Sequence, residues 1–123
     1  MTFESIKTIR DLVTEAGKAY ENRVYLRTLR NNMIHDTTFG QFSLECNAIA
    51  AWTAEQSKNL GHQARVAMIS SNSALYVRMM LGVMVGGGTT VFLDPQATED
   101  VICACLNKAE ADILIWEPKL ALD

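Results

Sequence analysis

Three short apolar runs in the second half of the chain, Val66-Ala67-Met68-Ile69, Thr89 to Leu93 and Ile113 to Trp116, alternate with two helix-like segments. Continuous apolar runs bounded by turn residues are what a parallel strand shows when both faces of its sheet are covered. Strand, helix, strand, helix, strand with short connections is the pattern of consecutive right-handed βαβ units. The chain is therefore expected to be α/β, with a mainly parallel sheet.

The helix between the first two strands is predicted over Ala74 to Val85, after the hydroxyl and amide residues Ser70 to Ser73, which serve as N-caps. Leu75, Tyr76, Val77, Met79, Met80, Leu81, Val83 and Met84 nearly encircle it, so it must be buried on most sides. Gly86-Gly87-Gly88 ends it and Asp94-Pro95 stops the strand that follows. Thr98 is expected to cap the next helix, with Glu99 and Asp100 favouring its N-terminal dipole and Val101, Ile102, Cys105, Leu106 and Ala109 as its buried face.

The first half reads differently. From Thr8 to Tyr20, Ile9, Val13, Ala16 and Tyr20 share one helical face. Val24 to Leu29 alternates, Asn31-Asn32 signals a turn, and Met33 to Thr37 completes a hairpin. Thr38 and Gln41 form a capping box for a long helix over Phe39 to Asn59, with Gly61 beyond its end and a core stripe of Phe42, Cys46, Ile49, Ala50, Thr53 and Leu60. An N-terminal helix and a β-hairpin thus precede the βαβ units. At 123 residues the sequence fits one domain, 1–123, without a linker or internal repeat.

A net charge of −3 with no Lys/Arg cluster argues against nucleic acid and anionic membranes as partners. The most apolar segment, Ala74 to Val85, is shorter than the ~20 residues of a transmembrane helix and contains Arg78, while the charged N-terminus does not resemble a secretory signal. Cys46, Cys103 and Cys105 are odd in number, and 103 and 105 diverge by roughly 200° on a helix, so all three are expected to be buried, reduced thiols of a cytoplasmic protein.

The glycine triplet follows a helix and enters a strand, the reverse of a phosphate-binding loop, so it is expected to terminate and pack rather than to touch a ligand. Ligands of open parallel sheets lie at the strand carboxyl ends, here Ser70-Ser71-Asn72-Ser73, Asp94-Pro95-Gln96 and Glu117-Pro118. Ser71 and Asn72 are candidate contacts, with helix capping as the alternative; Asp94 is equally a turn former. His35 and His62 have no metal-ligand spacing and are expected to face solvent, as is Arg78. Met79, Met80 and Met84 suit an adaptable acyl pocket, but core filling is the more ordinary role. No residue is assigned as catalytic or metal-binding.

Taken in order, Thr38-Phe39-Gly40-Gln41-Phe42, Gly61, Arg65-Val66-Ala67, Asn72-Ser73 with Tyr76, Gly86-Gly87-Gly88 and Leu93-Asp94-Pro95 resemble the N-terminal part of AMP-forming acyl-CoA synthetases of the adenylate-forming superfamily, the long-chain fatty-acid ligase type above all. With Ile113-Leu114-Ile115 the resemblance spans about Ile6 to Glu117. It implies an intact enzyme that uses ATP and magnesium to make an acyl-adenylate from a fatty or other carboxylic acid, then transfers the acyl group to coenzyme A. The family's phosphate loop, nucleotide contacts, magnesium ligand and catalytic lysine follow the matched region. The chain is accordingly expected to be a catalytically incompetent N-terminal subdomain with no tightly bound cofactor, able to self-associate through exposed apolar surface. By the same resemblance Leu93, Asp94 and Pro95 lie next to the coenzyme A nucleotide in the intact enzyme. The alternatives are a noncatalytic interaction or nucleotide-binding module, or an adenylation domain that loads an amino acid onto a carrier protein.

Overall fold

The computed structural model describes residues 2–117, so Pro118 of the Glu117-Pro118 pair lies outside the described residues. After a single 3-10 turn at Phe3–Ser5 comes helix α1, Ile9–Ala19. Its start is a capping box: the Asp11 amide donates to Thr8 Oγ1 at 3.1 Å and the Asp11 carboxylate accepts from the Thr8 amide at 3.1 Å. Strands β1, Val24–Arg30, and β2, Met33–Thr38, form an antiparallel hairpin. Asn31 and Asn32 turn it with φ of 51° and 60°, the two left-handed positions that a tight hairpin turn requires and asparagine tolerates.

The expected capping box at Thr38 and Gln41 is present, and it opens helix α2, Phe39–Leu60. Strand β3, Arg65–Ile69, helix α3, Ala74–Val85, strand β4, Thr89–Leu93, helix α4, Glu99–Ala109, and strand β5, Ile113–Trp116, complete the chain. The three later strands form a parallel sheet in the order β4-β3-β5, with Val66 beside Thr90 and Ile113, and Ile69 beside Leu93 and Trp116. The α/β class read from the sequence is the observed one.

Helix α3 is apolar nearly all round because it separates two cores. On one side Val85, with Val77 and Leu81, joins Val13 of α1 and Phe42, Cys46 and Ala50 of α2. On the other side Val83, with Tyr76 and Met79, meets Val66 and Met68 of β3, and Ile113 and Ile115 of β5. Strand alternation sends Ala67 and Ile69, both fully buried, to the opposite sheet face. Because β4 and β5 flank β3 on opposite sides, right-handed crossovers place α4 over that second face, where Ile102 is buried.

The contact between α2 and α3 depends on missing side chains. A Cβ at Gly82 would lie 2.5 Å from Cβ of Ile49, and one at Gly86 would lie 2.5 Å from the Ala50 carbonyl oxygen and 2.8 Å from Ala50 Cα. The same triplet closes the helix. Gly87 takes φ 82°, its amide donates to Met84 O at 3.1 Å, and the Gly88 amide donates to Val83 O at 2.9 Å, the paired bonds of a Schellman motif. Arg10 Nη2 of α1 adds a cationic donor at the same end, 2.8 Å from Val85 O.

Several side chains depart from expectation. Arg78 is not solvated: its Nε faces a carboxylate oxygen of Glu45 on α2, and its Nη2 donates to Thr37 Oγ1 at 3.0 Å, tying α3 to α2 and the hairpin. His62 is exposed, as expected, with Nε2 lying 3.0 Å from both oxygens of Asp112. Cys46 is buried, but Cys103 and Cys105 are exposed on α4, as is Val101, because this helix covers only a narrow sheet and Ile102 alone among its residues is fully shielded. Thr98 precedes α4 without a side-chain cap bond, and Leu60 and Leu75 are exposed. No helix among the described residues is long and apolar enough to cross a membrane.

Two predictions follow from this packing. Gly86 has an ordinary φ of −78°, so Gly86→Ala carries no backbone penalty and tests close approach alone; with rigid backbone opposite, it is expected to lower stability by about 1–3 kcal/mol in denaturant unfolding. The second concerns Asp112, whose carboxylate accepts from the Arg65 amide at 2.9 Å and faces His62. These contacts, the Arg65 amide first, hold its pKa below the ordinary 3.8, so it stabilises the fold above that value and the contribution disappears as pH falls through the depressed one. Asp112→Asn should therefore melt lower than the parent at neutral pH, with the difference narrowing on acidification.

Candidate functional site

Strands β4 and β5 flank β3 on opposite sides, and the crevice between the carboxyl ends of β3 and β5 is where an open α/β sheet can receive a ligand. Such a crevice is present. Met68, Ser70, Ser73, Leu75, Tyr76, Met79, Ile115, Trp116 and Glu117 enclose a volume of about 90 Å³. Its floor is apolar because the α3-facing residues of β3 and β5 end there, and its rim is polar because the chain leaves the sheet through serines. The Tyr76 ring packs at 5.8 Å and 39° to that of Phe92 on β4, holding one wall.

Ser73 is the N-cap of α3, its hydroxyl oxygen accepting from the Tyr76 amide at 3.1 Å. Ser71 instead bridges the two strand ends: its amide and hydroxyl donate to Glu117 Oε2 at 3.2 and 2.7 Å. Asn72 faces a neighbouring groove of about 570 Å³ between the hairpin and α3, lined also by Thr28, Arg30, His35, Thr37 and Arg78. A third, wholly apolar trough of about 310 Å³, formed by Ala48, Ile49, Trp52, Met79 and Ile115, runs on from the crevice along α2.

Leu93, Asp94 and Pro95 are not brought to this crevice. They stand at the end of β4, on the far side of β3 from β5 and roughly two strand spacings, or 10 Å, from β5. Asp94 forms a turn, its Oδ1 accepting from the Gln96 amide at 2.9 Å and its carbonyl from the Ala97 amide at 3.1 Å. Of the three methionines considered for an acyl pocket, Met79 lines the crevice. Tyr76, Ile115 and Trp116 line it too, and their periodicity signals only core; the strand order that opens the crevice is a tertiary fact.

The titratable groups nearby supply no reactive set. The Cys46 thiol is pushed up to about 11, by burial first and then by the Glu45 carboxylate, so it stays protonated at neutral pH. No group of three His, Cys, Asp or Glu residues that could hold a metal ion occurs among the described residues. A pocket with an apolar floor and hydroxyl rim can bind and orient a ligand.

Comparison with known proteins agrees with this architecture. Residues 13–122 match the model of the AMP-binding enzyme family. Among solved structures, the N-terminal subdomain of NpsA from Klebsiella oxytoca in complex with 3-hydroxyanthranilyl-AMSN is 25% identical, with a TM-score of 0.76, over 94% of this chain and 28% of that one. NpsA-ThdA, an artificially fused adenylation-PCP di-domain from the same organism, is 24% identical with a TM-score of 0.77, over 97% of this chain and 21% of that one. The fatty acid AMP ligase of Legionella pneumophila shares the fold at 17% identity and a TM-score of 0.78, over 96% and 21%. The chain thus spans between 21% and 28% of the length of these structures. No curated protein matches it. With the family model covering nearly its whole length and the same fold in these structures, the chain belongs to the AMP-binding enzyme family.

Proposed function

We propose that this chain is the N-terminal subdomain of an AMP-forming ligase that activates a fatty or other carboxylic acid with ATP and magnesium and passes the acyl group to coenzyme A. The observation that carries the reading is the family match over residues 13–122, in a chain that spans 21% of the fatty acid AMP ligase whose fold it shares. The site geometry agrees with a supporting role. Charge stabilisation in acyl transfer needs preorganised cations or donors aimed at the reacting centre, and the strand-end crevice offers hydroxyls and one carboxylate, Glu117, already held by Ser71. The open apolar trough around Trp52, Met79 and Ile115 supports the same reading, because a subdomain of a larger enzyme presents such a face to the rest of it. Leu93, Asp94 and Pro95 are proposed to lie near the coenzyme A nucleotide of the intact enzyme, on the edge of the sheet away from the crevice.

A second reading is activation of an amino or aryl acid for a carrier protein. It draws on the 25% identity to NpsA, whose structure holds 3-hydroxyanthranilyl-AMSN.

Two experiments test these proposals. The 123-residue chain incubated with ATP, magnesium, coenzyme A and fatty acids should release no pyrophosphate, and it should self-associate and bind an apolar dye as its concentration rises; robust turnover by the chain overturns the subdomain assignment. The full reading frame, assayed for carboxylate-dependent ATP–pyrophosphate exchange, should respond to fatty acids and form their coenzyme A thioesters. Exchange confined to aryl or amino acids, with no thioester to coenzyme A, selects the carrier-protein reading.

A further inference from the structure

The groove between the hairpin and α3 is unlike the rest of the surface. The chain carries a net charge of −3, yet this groove gathers Arg30, His35 and Arg78. Alternation in the hairpin register accounts for the first two: Thr28 and Arg30 on β1 project on the same face as His35 and Thr37 on β2, since Thr28 pairs with His35 and Arg30 with Met33. The hairpin is anchored by the same face, through the half-buried Leu26 and through Thr37, which accepts from Arg78.

Most polar groups in the groove are already committed. Arg78 is neutralised by Glu45, and Ser73 caps α3. The Thr28 hydroxyl donates to the His35 carbonyl at 3.4 Å, and Glu117, the single carboxylate among the lining residues, accepts from Ser71. The guanidinium of Arg30, the ring of His35 and the amide of Asn72 have no partner among the described residues. One guanidinium and two further unpartnered donors thus line one groove of about 570 Å³, within the ~300–1,000 Å³ range of small-molecule sites. An arginine fork with further donors opposite it matches phosphate better than any neutral group.

We propose that this groove binds a phosphate-bearing small molecule, with Arg30 and His35 from the hairpin and Asn72 from the β3–α3 connection as its recognition residues. The site adjoins the strand-end crevice, with which it shares Ser73, Leu75 and Glu117, and the proposal does not rest on the ligase reading. It holds whether the phosphate comes as a free oligophosphate or as part of a nucleotide.

The test titrates the ¹⁵N-labelled 123-residue chain with inorganic pyrophosphate, AMP and adenosine in separate arms, following backbone amide shifts. Saturable shifts at Arg30, His35 and Asn72 to Leu75 are expected with at least one phosphate ligand and not with adenosine. Tighter binding of AMP identifies a nucleotide site, and tighter binding of pyrophosphate an oligophosphate site. Arg30→Gln should weaken binding about tenfold, the scale of one charge-assisted contact. Arg27→Gln is the control. Arg27 lies on the opposite hairpin face, paired with Asp36 at 2.8 Å, and its loss should leave binding unchanged. Both variants must keep the parent's amide dispersion, and His35→Gln serves if Arg30→Gln does not. Shifts that fail to saturate, equal binding of adenosine, or a substitution of Arg30 or His35 that changes affinity no more than that of Arg27 overturns the proposal.

Discussion

The close contact of α2 with α3 governs the arrangement of everything else. Gly82 and Gly86 let the α3 backbone settle against Ile49 and Ala50, and this brings two separate hydrophobic clusters to opposite sides of one helix. The N-terminal helix and hairpin have too little apolar surface to stand alone, and a two-stranded hairpin is marginal by itself in water. They are ordered because α3 offers them Val77, Leu81 and Val85 while its other side holds the sheet. Arg10 at the Val85 carbonyl and Arg78 between Glu45 and Thr37 then fix the angles at which α1 and the hairpin meet it.

That packing has a consequence for the site. Once α3 lies over β3 and β5, its N-terminus stands at their carboxyl ends, and the serine-rich connection must pass between crevice and groove. Ser73 is consumed by the cap and Ser71 by Glu117, so the polar residues that look most suited to recognition in the sequence serve first to hold the strand ends together. Of the unpartnered donors, Arg30 and His35 are on the hairpin, far away in sequence, and Asn72 alone comes from this connection.

Much of the fold was legible because local chemistry and tertiary context agree. Thr38 and Gln41 announce α2, Asn31-Asn32 turns the hairpin, Gly61 ends α2 with φ 77°, and Ala74 to Val85 is a helix with the predicted bounds. The errors fall where a neighbour distant in the chain decides. Arg78 is held by Glu45, which lies 33 positions away, and so is not the solvated side chain its sequence neighbours suggest. Cys105 and Val101 share a helical face with Ile102 and Leu106, but exposure there depends on how wide a sheet α4 has to cover. The strand-end position was legible as a place, whereas the residues that wall it, Tyr76, Ile115 and Trp116, carry no signal beyond hydrophobicity.

By itself the sequence determined element type and boundary, since caps, turn residues and apolar period act within a few positions, and it determined that α3 must be covered on most sides. The tertiary structure decided which strands are neighbours. The order β4-β3-β5 separates Leu93, Asp94 and Pro95 from Glu117 and sets the crevice between β3 and β5. The physical reason is that hydrogen bonding between strands and the hand of the crossovers are nonlocal: no residue type encodes them, and they are selected only when α3 and α4 bury opposite faces of the same sheet.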